Sequence, residues 1–374
     1  MMSKTKIPPL TVLKLWARSG GRCEFKGCNE PLWRDDLTYT DLNRAHIAHI
    51  VADSPDGPRG HKDLSPKLAT DFDNLMLLCT VHHKLVDDYP EVYTVDLLRT
   101  YKKEHEDRIE LVTSSTESLR THLLVFKGPI NGQPPVISFE EIKQAVVPRY
   151  PAHAGAIEID LTSYFMDDGE DGYFRFMQDQ ITRQVQHWVH SRVDLDKITH
   201  LSVFALASIP LLIHFGRELG YVVPTDVYEY HRETGSWSWE KPGTKNMDYR
   251  VHVSTIAEPS DRIVAINLSL SGVIHEDEIR AALGDTACRI YTMTMDNPVP
   301  GFLYSKDQLD AFARKMRDLL AAVRRQHGPS CEVHLFPAVP ASVAVRLGQL
   351  LLPKVDPPLH VYDKRKHGGF RYAL

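Results

Sequence analysis

The sequence predicts two domains of different class: a small α+β domain built around a metal at the N-terminus, joined to a larger α/β domain made of two similar halves. The chain has 374 residues, which is enough for two domains at roughly 150 residues each. Three of its five cysteines, Cys23, Cys28 and Cys79, lie in the N-terminal part. From Ala156 onward, strand-like and helix-like segments alternate, and a residue pattern recurs at a constant spacing.

Composition excludes several classes of protein. Hydrophobic residues make up 43% and charged residues 25% of the chain, which is typical of folded domains and excludes disorder. The longest apolar stretch, residues 201–215, is too short and too polar to span a bilayer. No apolar region and cleavage site follow the basic N-terminus. An odd number of dispersed cysteines is not a disulfide framework. We therefore expect a cytoplasmic protein that does not interact with membranes.

The net charge of −5 is shared between both parts of the chain, and neither part has an excess of basic residues. This excludes tight, non-specific binding of nucleic acid through a bulk positive field. Any contact with DNA has to be local, assisted by a metal, or multivalent.

The predicted first domain, residues 1–112, alternates short helices with loops. A helix is expected from Leu10 to Arg18, ended by two glycines, and a strand from Asn43 to Val51. Residues Asn74 to Leu85 are expected to form a turn that runs into a helix. Because residues 114–133 are rich in Ser, Thr, Gly and Pro, residues 113–154 are predicted to be a connector, and residues 155–374 the second domain.

The second domain is predicted to alternate strands with amphipathic helices, which indicates a largely parallel α/β fold. The expected strands are Ala156–Leu161, Leu201–Leu206, Val222–His231, Tyr249–Ile256, Ile263–Leu270, Arg289–Met295, Glu332–Phe336 and Leu359–Tyr362. The expected helices are Phe174–Arg192, Pro210–Leu219, Lys306–Arg325 and Ser342–Leu352.

When the sequence of this domain is aligned with itself at one constant offset, similar residues coincide. This internal repeat predicts two halves related by a pseudo-two-fold axis. The superimposed pairs are Phe204 and Phe336, Gly216 and Gly348, Leu219 and Leu351, Tyr230 and Tyr362, and Arg232 and Lys364. In such sheets, ligands bind beyond the carboxyl ends of the strands, near helix N-termini.

Four residues of the first domain have the spacing of zinc ligands. Cys23 and Cys28 form one close pair, and Cys79 and His82 form another. Two such pairs, brought together by the fold, make a closed tetrahedral site. Because protein ligands fill all four positions, the predicted Zn²⁺ is structural.

The first domain contains four short motifs in this order: Gly-Gly-Arg-Cys, Ala-His-Ile, Asn-Leu-x-Leu-Leu-Cys and His-His-Lys-Leu-Val-Asp. Together they resemble the HNH nuclease family, whose ββα-metal finger is one hairpin and one helix around a metal; the resemblance covers about residues 10–110. It implies that His49 is the general base, that Asn74 orients this base and its loop, and that His83 binds a catalytic Mg²⁺ or similar ion. Hydrolysis of a phosphodiester requires such a base and cation.

One position departs from the family pattern. Many members have a metal-binding Asp or His directly before the base, whereas this chain has Ala48. His46 or Asp87 could take its place, so the second ligand of the catalytic metal stays open.

The C-terminal part contains Ile-Asn-Leu-Ser-Leu-Ser-Gly, Phe-Pro-Ala-Val-Pro-Ala-Ser and the residues 202–216. Together these resemble a SAVED domain, which is similar to two fused CARF (Rossmann-like) modules and senses cyclic oligonucleotides. The resemblance spans about residues 155–374. An HNH finger joined to such a domain is similar to the HNH–SAVED effector endonucleases of bacterial CBASS anti-phage defence.

Several residues of this domain suit a cyclic nucleotide. Small residues around Ser208 and Ser342 would let backbone N–H groups approach phosphates. Arg232 and Lys364 would neutralise two phosphates. A strand that carries Trp237 and Trp239 on one face would stack on bases.

We therefore expect a DNA endonuclease that a cyclic di- or trinucleotide activates, acting on double-stranded DNA as a homo-oligomer. A restriction-type HNH nuclease that reads modified DNA through its C-terminal domain is the first alternative. An inactive zinc finger that only binds DNA or serves as a scaffold is the second.

Overall fold

The computed structural model describes residues 5–35, 37–114, 116–130, 132–164, 166, 168–239, 247–256, 262–284, 286–352, 355–364 and 368–374. The chain divides into two units, Met1–Thr116 and Glu117–Leu374. Both units mix helices and strands, in agreement with the predicted class.

The first unit contains a two-stranded antiparallel sheet. Strand β1 (Ala45–His49) pairs with β2 (Leu75–Cys79), so that His49 lies opposite Leu75. A 3-10 turn at Phe72–Asn74 precedes β2. The helices of this unit are α1 (Pro9–Arg18), α2 (Ser65–Leu68), α3 (Thr80–Asp88) and α4 (Val95–Thr113).

A strand precedes the helix that was expected to follow Asn74. Every residue of β2 is buried, and α3 begins only at Thr80, with Cys79 as its N-cap. A continuous apolar run is compatible with a buried strand or a buried helix, and here the pairing with β1 decides between them.

The second unit contains two mostly parallel sheets. Its strands are β3 (Arg120–Lys127), β4 (Tyr150–Pro151), β5 (Ile157–Asp160), β6 (Leu201–Leu206), β7 (Thr225–Tyr228), β8 (Arg250–Ile256), β9 (Ile263–Ser269), β10 (Cys288–Thr294), β11 (Glu332–Ala338), β12 (Leu359–Lys364) and β13 (Phe370–Tyr372). Its helices are α5 (Phe139–Ala145), α6 (Tyr173–Trp188), α7 (Ile209–Leu219), α8 (Glu276–Leu283), α9 (Lys306–His327) and α10 (Ala341–Leu350).

Both sheets have the same strand order, as expected for two similar halves. In the first half, β5, β3, β6 and β7 are parallel neighbours in that order. In the second half, β10, β9, β11 and β12 are parallel neighbours in that order. When these four parallel strands of each half are numbered along the chain, with the short β4 left out, each half reads 2-1-3-4. Strand β4 pairs with the start of β3, and β8 and β13 add antiparallel edges to the second sheet.

Helix α9 shows why the sequence folds as predicted here. Ser305 and Gln308 form a capping box at its start, which satisfies free N–H groups, and the helix ends before Gly328. The apolar stripe from Leu309 to Val323 is buried. None of the described helices is long and apolar enough to cross a membrane.

Two glycines let α7 and α10 pack with their backbones in contact. A Cβ atom on Gly216 would collide with the carbonyl oxygen of Val345, and one on Gly348 would collide with that of Ile213. The shift along the chain that superimposes Gly216 on Gly348 also superimposes Ile213 on Val345. The contact is therefore symmetric, as a pseudo-two-fold axis requires.

The last parallel strands of the two halves, β7 and β12, are not superimposed by the shift that superimposes Gly216 on Gly348. Phe204 lies opposite Tyr228, with 4.6 Å between the ring centroids. Phe336 stacks on Tyr362 at 4.5 Å. Tyr228, and not Tyr230, is thus the structural equivalent of Tyr362, because the second half has a longer connection between helix and strand.

This offset corrects the predicted pairing of two cations. Once Tyr228 is placed on Tyr362, the residue that falls on Lys364 is Tyr230. The prediction that Arg232 and Lys364 are related by the repeat is therefore wrong.

Residues 113–154, predicted as a connector, mostly belong to the first half. Strand β3 is buried from Thr121 to Phe126 and pairs with β4, β5 and β6; α5 lies in the same interval. The Ser, Thr and Pro residues that suggested a connector flank this strand on both sides. The second unit therefore begins at Glu117.

An ion-pair network joins the two halves. Asp226 lies 3.4 Å from His200 Nε2, 3.4 Å from Arg149 Nε and 2.5 Å from Lys306 Nζ, at the start of α9. Thr121 holds His200 Nδ1 at 2.8 Å. Burial raises the pKa of Asp226, but hydrogen bonds from His200 and Lys306 outweigh burial and hold this pKa well below its usual range.

Gly348→Ala is expected to lower the free energy of unfolding by about 3 kcal/mol, because the added methyl group forces two packed backbones apart. For a unit of this size that corresponds to a loss of about 6–12 °C in Tm, measurable by thermal denaturation. Gly272→Ala is the control, since its Cβ would meet nothing within 4 Å. Equal melting temperatures for the two variants would contradict the packing argument.

Asp226→Asn is expected to cost about 3 kcal/mol at pH 7, because it leaves the cations around it without their partner. A carboxylate with a depressed pKa stabilises the fold above its unfolded pKa of about 3.9 and loses that contribution as pH falls further. Denaturant unfolding should therefore show a gap in the free energy of unfolding between wild type and variant at pH 5 that narrows as pH falls below 4. A gap independent of pH would be evidence against the ion-pair role.

Candidate functional site

Four side chains of the first unit converge as a tetrahedral metal site requires. The ligand atoms of Cys23, Cys28, Cys79 and His82 (the Cys/His quartet) lie within 4.8 Å of one another. His82 Nδ1 is 3.1 Å from Cys79 Sγ and 3.8 Å from Cys23 Sγ. The Phe25 ring stacks on His82 at 4.1 Å and orients it. Three sulfur atoms and one imidazole nitrogen form a donor set that fits Zn²⁺.

His49 ends β1 and is half-buried. Its Nε2 lies 2.9 Å from the carbonyl oxygen of Ala69. A carbonyl can only accept, so Nε2 must donate, and Nδ1 of the neutral ring keeps its lone pair. The ring is thereby held in the tautomer that a general base acting through Nδ1 requires.

Asn74 forms hydrogen bonds with the backbone directly after His49. It is 1% exposed, and its side chain accepts from Val51 N–H and donates to Val51 O, both at 2.8 Å. The amide also donates to Leu68 O at 3.1 Å, and the backbone carbonyl accepts from Ile50 N–H at 2.8 Å. The backbone that carries His49 is therefore fixed by a buried amide.

His83 has both of its suggested partners beside it. The His46 ring is 4.9 Å away, and Asp87 Oδ2 lies 3.8 Å from His83 Nε2. His46 and Ala48 share one face of β1 because they are two residues apart. Burial lowers the pKa of His83, with Asp87 acting in the opposite direction. Imidazole and carboxylate groups are donors that divalent cations accept, but the ligand atoms of these three residues do not all lie within 4.8 Å of one another, and His46 Nε2 lies 3.1 Å from Thr80 Oγ1.

Arg59 was not identified from the sequence, yet it connects these elements. Its side chain is 4% exposed, and it donates to the carbonyl oxygens of Ile50, at 2.8 Å, and of Val86. It also pairs with Asp87 Oδ1 at 3.1 Å. Its position in a Pro-Arg-Gly loop was the only sequence signal, and that indicates a turn rather than a buried cation.

The second unit contains a cavity of about 1000 Å³ between its two halves. It lies beyond the carboxyl ends of the parallel strands, which is where α/β sheets bind ligands. The starts of α7 and α10 open into it, at Ala207–Ile209 and Val339–Ala341. The segments after β7 and at the end of β12 complete the wall, at Glu229–Thr234 and Asp363–Lys364.

Arg232 and Lys364, the two predicted cations, both line this cavity, but they differ in whether they have an ion-pair partner. Arg232 is exposed at the cavity wall and forms no ion pair with any other described residue, although its charge acts on the Glu229 carboxylate and lowers the pKa of that group. Lys364 is bound to Glu278 at 2.6 Å, so its charge is already balanced. Arg371, which the sequence analysis missed, also lines the cavity and lies 3.9 Å from Asp363.

The two helix N-termini at the cavity are chemically different. Ser208 is the N-cap of α7 and lines the cavity, and its hydroxyl is buried without a hydrogen-bond partner among the described residues. Ser342 is 1% exposed and does not line the cavity, and its N–H donates to the Glu229 carboxylate at 2.8 Å. Burial raises the pKa of Glu229, and hydrogen bonds from Ser342 oppose this. The phosphate site predicted at Ser342 is therefore occupied by a carboxylate.

The two tryptophans predicted to stack on bases are not part of the cavity wall. Trp237 is 1% exposed and packs against Phe204 with 5.2 Å between the rings. Trp239 stacks on Tyr228 at 6.3 Å. The segment is not a strand, so the predicted common face does not exist, and the tryptophans cover the sheet instead.

Other aromatic rings line the cavity. Tyr230, His231 and Tyr304 belong to its wall. The rings of His231 and Tyr304 are nearly parallel, 6.2 Å apart with 8° between their planes. Tyr304 precedes α9, far from the other two in sequence, so no local motif could have joined them.

Comparison with known proteins agrees with this architecture. Residues 181–374 match the family described as "SMODS-associated and fused to various effectors sensor domain", abbreviated SAVED. Comparison with curated proteins returned no match.

Solved structures of SAVED/CARF-domain receptors are also similar. The Acinetobacter baumannii Cap4 receptor with the cyclic trinucleotide 2'3'3'-cAAA has a TM-score of 0.47 and 10% identity over 79% of this chain and 61% of that one. The Moraxella osloensis Cap4 receptor has a TM-score of 0.41 and 8% identity over 78% and 60%. This chain therefore spans less than two thirds of the length of either receptor.

Proposed function

The chain belongs to the SAVED family of sensor domains, and on this premise we propose that it is an endonuclease switched on by a cyclic oligonucleotide. The observation that carries the proposal is the cavity of about 1000 Å³ between the two halves of the second unit. In this proposal the cavity binds the signal, and the first unit cleaves double-stranded DNA in a CBASS-type anti-phage response.

The cavity suits a ligand that carries both phosphates and bases. Arg232 supplies a positive charge, and the Ser208 hydroxyl lies at a helix N-terminus, where negative charge is favoured. Glu229 can accept hydrogen bonds from the edge of a base, and nearby aromatic rings offer stacking surfaces. The volume is at the upper end of the range for small-molecule sites, about 300–1,000 Å³, which favours a cyclic di- or trinucleotide over a mononucleotide.

In the first unit, His49 Nδ1 is the proposed general base, taking a proton from water as that water attacks phosphorus. Asn74 and Arg59 hold the backbone around it, with Arg59 Nη2 3.4 Å from the His49 carbonyl oxygen. His83, with His46 or Asp87, would hold Mg²⁺ or a similar ion, which supplies positive charge against the phosphate oxygens. The Cys/His quartet would hold the structural Zn²⁺.

Activation follows from mass action in this proposal. A ligand that binds an assembled, active state more tightly than the resting state shifts the population toward it. Assembly of several chains would add avidity for DNA, which a protein with a net charge of −5 needs.

The nuclease proposal predicts that purified protein with Mg²⁺ cuts plasmid DNA only when one member of a panel of cyclic di- and trinucleotides is present. His49→Ala should lower the cleavage rate at least 100-fold, since general bases contribute about 10²–10⁴, and should leave ligand affinity unchanged. His187→Ala, an exposed histidine of the second unit, is the control. Cleavage that ignores cyclic nucleotides but depends on DNA modification would favour the restriction-type alternative.

The sensor proposal predicts that Arg232→Ala weakens binding of the activating nucleotide about 10–100-fold, because a charged hydrogen bond contributes about 1.5–3 kcal/mol. Isothermal titration calorimetry measures this directly. Arg183→Ala, on an exposed face of α6 outside the cavity wall, should bind like wild type. Equal affinities for the Arg232 variant and wild type would remove this residue from the binding site.

A further inference from the structure

A second cluster of metal-binding side chains lies in the second unit. His334 on β11 and His360 on β12 are register partners on adjacent parallel strands. Glu332 comes two residues before His334, so it shares the same face of the sheet. Each of the three offers a ligand atom, and these atoms lie within 4.8 Å of one another.

His334 is oriented as a metal ligand would be. Its Nδ1 lies 3.0 Å from the hydroxyl of Tyr362, the type of hydrogen bond that fixes the tautomer and orientation of metal-bound histidines. Its Nε2 is buried, has no hydrogen-bond partner among the described residues, and lies 4.0 Å from the Glu332 carboxylate. Leaving a buried nitrogen unsatisfied costs free energy, and a cation between Nε2 and Glu332 would satisfy both groups.

At the equivalent position of the first half, charged side chains of the protein pair with one another. By the repeat, Glu332 and His360 correspond to His200 and Asp226, which pair with each other and, through Asp226, with Lys306. In the second half, Glu332 has no Lys or Arg partner among the described residues. In the first half, the side chain of Lys306 supplies the positive charge. In the second half, Glu332 and the histidines have no such side chain paired with them in the described part of the chain, and they could bind a metal cation instead.

We propose that Glu332, His334 and His360 bind a divalent transition-metal ion, for which the probe of choice is Zn²⁺. Two imidazole nitrogens and one carboxylate oxygen form a three-ligand zinc site that keeps a fourth position for water. With bonds of about 2.1 Å, tetrahedral ligand atoms lie about 3.4 Å apart. The Glu332 side chain is 56% exposed and can move onto the ion.

The site is separate from the nucleotide cavity. Its residues lie near the amino ends of β11 and β12, whereas the cavity wall begins at Val339 and Asp363, at the carboxyl ends. The ion ties β11 to β12, as the ion pair of Asp226 ties the corresponding strands of the first half. It thereby supports β13, which pairs with β12 and carries Arg371 into the cavity wall.

Metal stoichiometry tests the proposal. The full chain, stripped with a chelator and then titrated with Zn²⁺ in a calorimeter, is expected to bind one ion at this site in addition to any ion in the Cys/His quartet and any ion at His83. His334→Ala and His360→Ala should each lose this ion or bind it at least 100-fold more weakly, and Glu332→Gln should weaken it at least tenfold. His252→Ala, an exposed histidine on β8, should bind like wild type.

Two further measurements separate this site from the quartet. In a His83→Ala background, which removes the catalytic metal site proposed for the first unit, Cys79→Ser also removes the quartet's ion but should retain the proposed one. With Co²⁺ as the probe, a site with thiolate ligands gives intense charge-transfer absorption, whereas this site should give only weak d–d bands. Because Glu332 is exposed, Glu332→Gln keeps the test valid if a histidine variant fails to fold. A double variant, His83→Ala with Cys79→Ser, that binds no metal, or a Glu332→Gln variant that binds like wild type, would overturn the proposal.

Discussion

The backbone contact between α7 and α10 is the constraint on which the second unit depends. Helices whose side chains meet normally keep their axes about 8–10 Å apart, but Gly216 and Gly348 remove the side chains at the crossing and let carbonyl oxygens occupy that space. The two halves can then share one core, because α10 packs against β6 and β7 while α7 packs against β12. The same crossing brings the starts of both helices to one cavity. A ligand site between the halves is therefore a geometric consequence of two small residues.

The symmetry of this scaffold does not extend to its chemistry. At the start of α7 the cavity meets the Ser208 hydroxyl, whereas at the start of α10 it meets the Glu229 carboxylate. At the amino ends of the strands, the Asp226 network of the first half is replaced by Glu332, His334 and His360. A duplicated fold can conserve helix packing while its polar positions change independently, because packing constrains volume and polar positions are constrained only by their partners.

The sequence was sufficient to predict what depends on periodicity or fixed spacing. The strand at Leu201–Leu206, the stripe on α9 and the convergence of the Cys/His quartet follow from patterns that local geometry translates directly. It was insufficient where a residue's role depends on distant partners. Strand β3 was hidden by the turn-forming residues around it, and Trp237 was assigned to a ligand although it covers a sheet. Arg59 lies in a turn motif, yet contacts across the unit make it a buried cation.

The charges of the cavity wall bear on how the proposed signal is distinguished from other polyanions. Arg232, Lys364 and Arg371 face it together with Asp168, Glu229, Glu233 and Asp363, so the field inside is mixed rather than positive. A chain of phosphates such as DNA gains little from such a wall, because each carboxylate repels it. A compact cyclic oligonucleotide has few phosphates and several base edges that donate hydrogen bonds, and it can satisfy both kinds of charge at once. In the proposed function, this balance keeps the sensor from being occupied by the substrate of the nuclease.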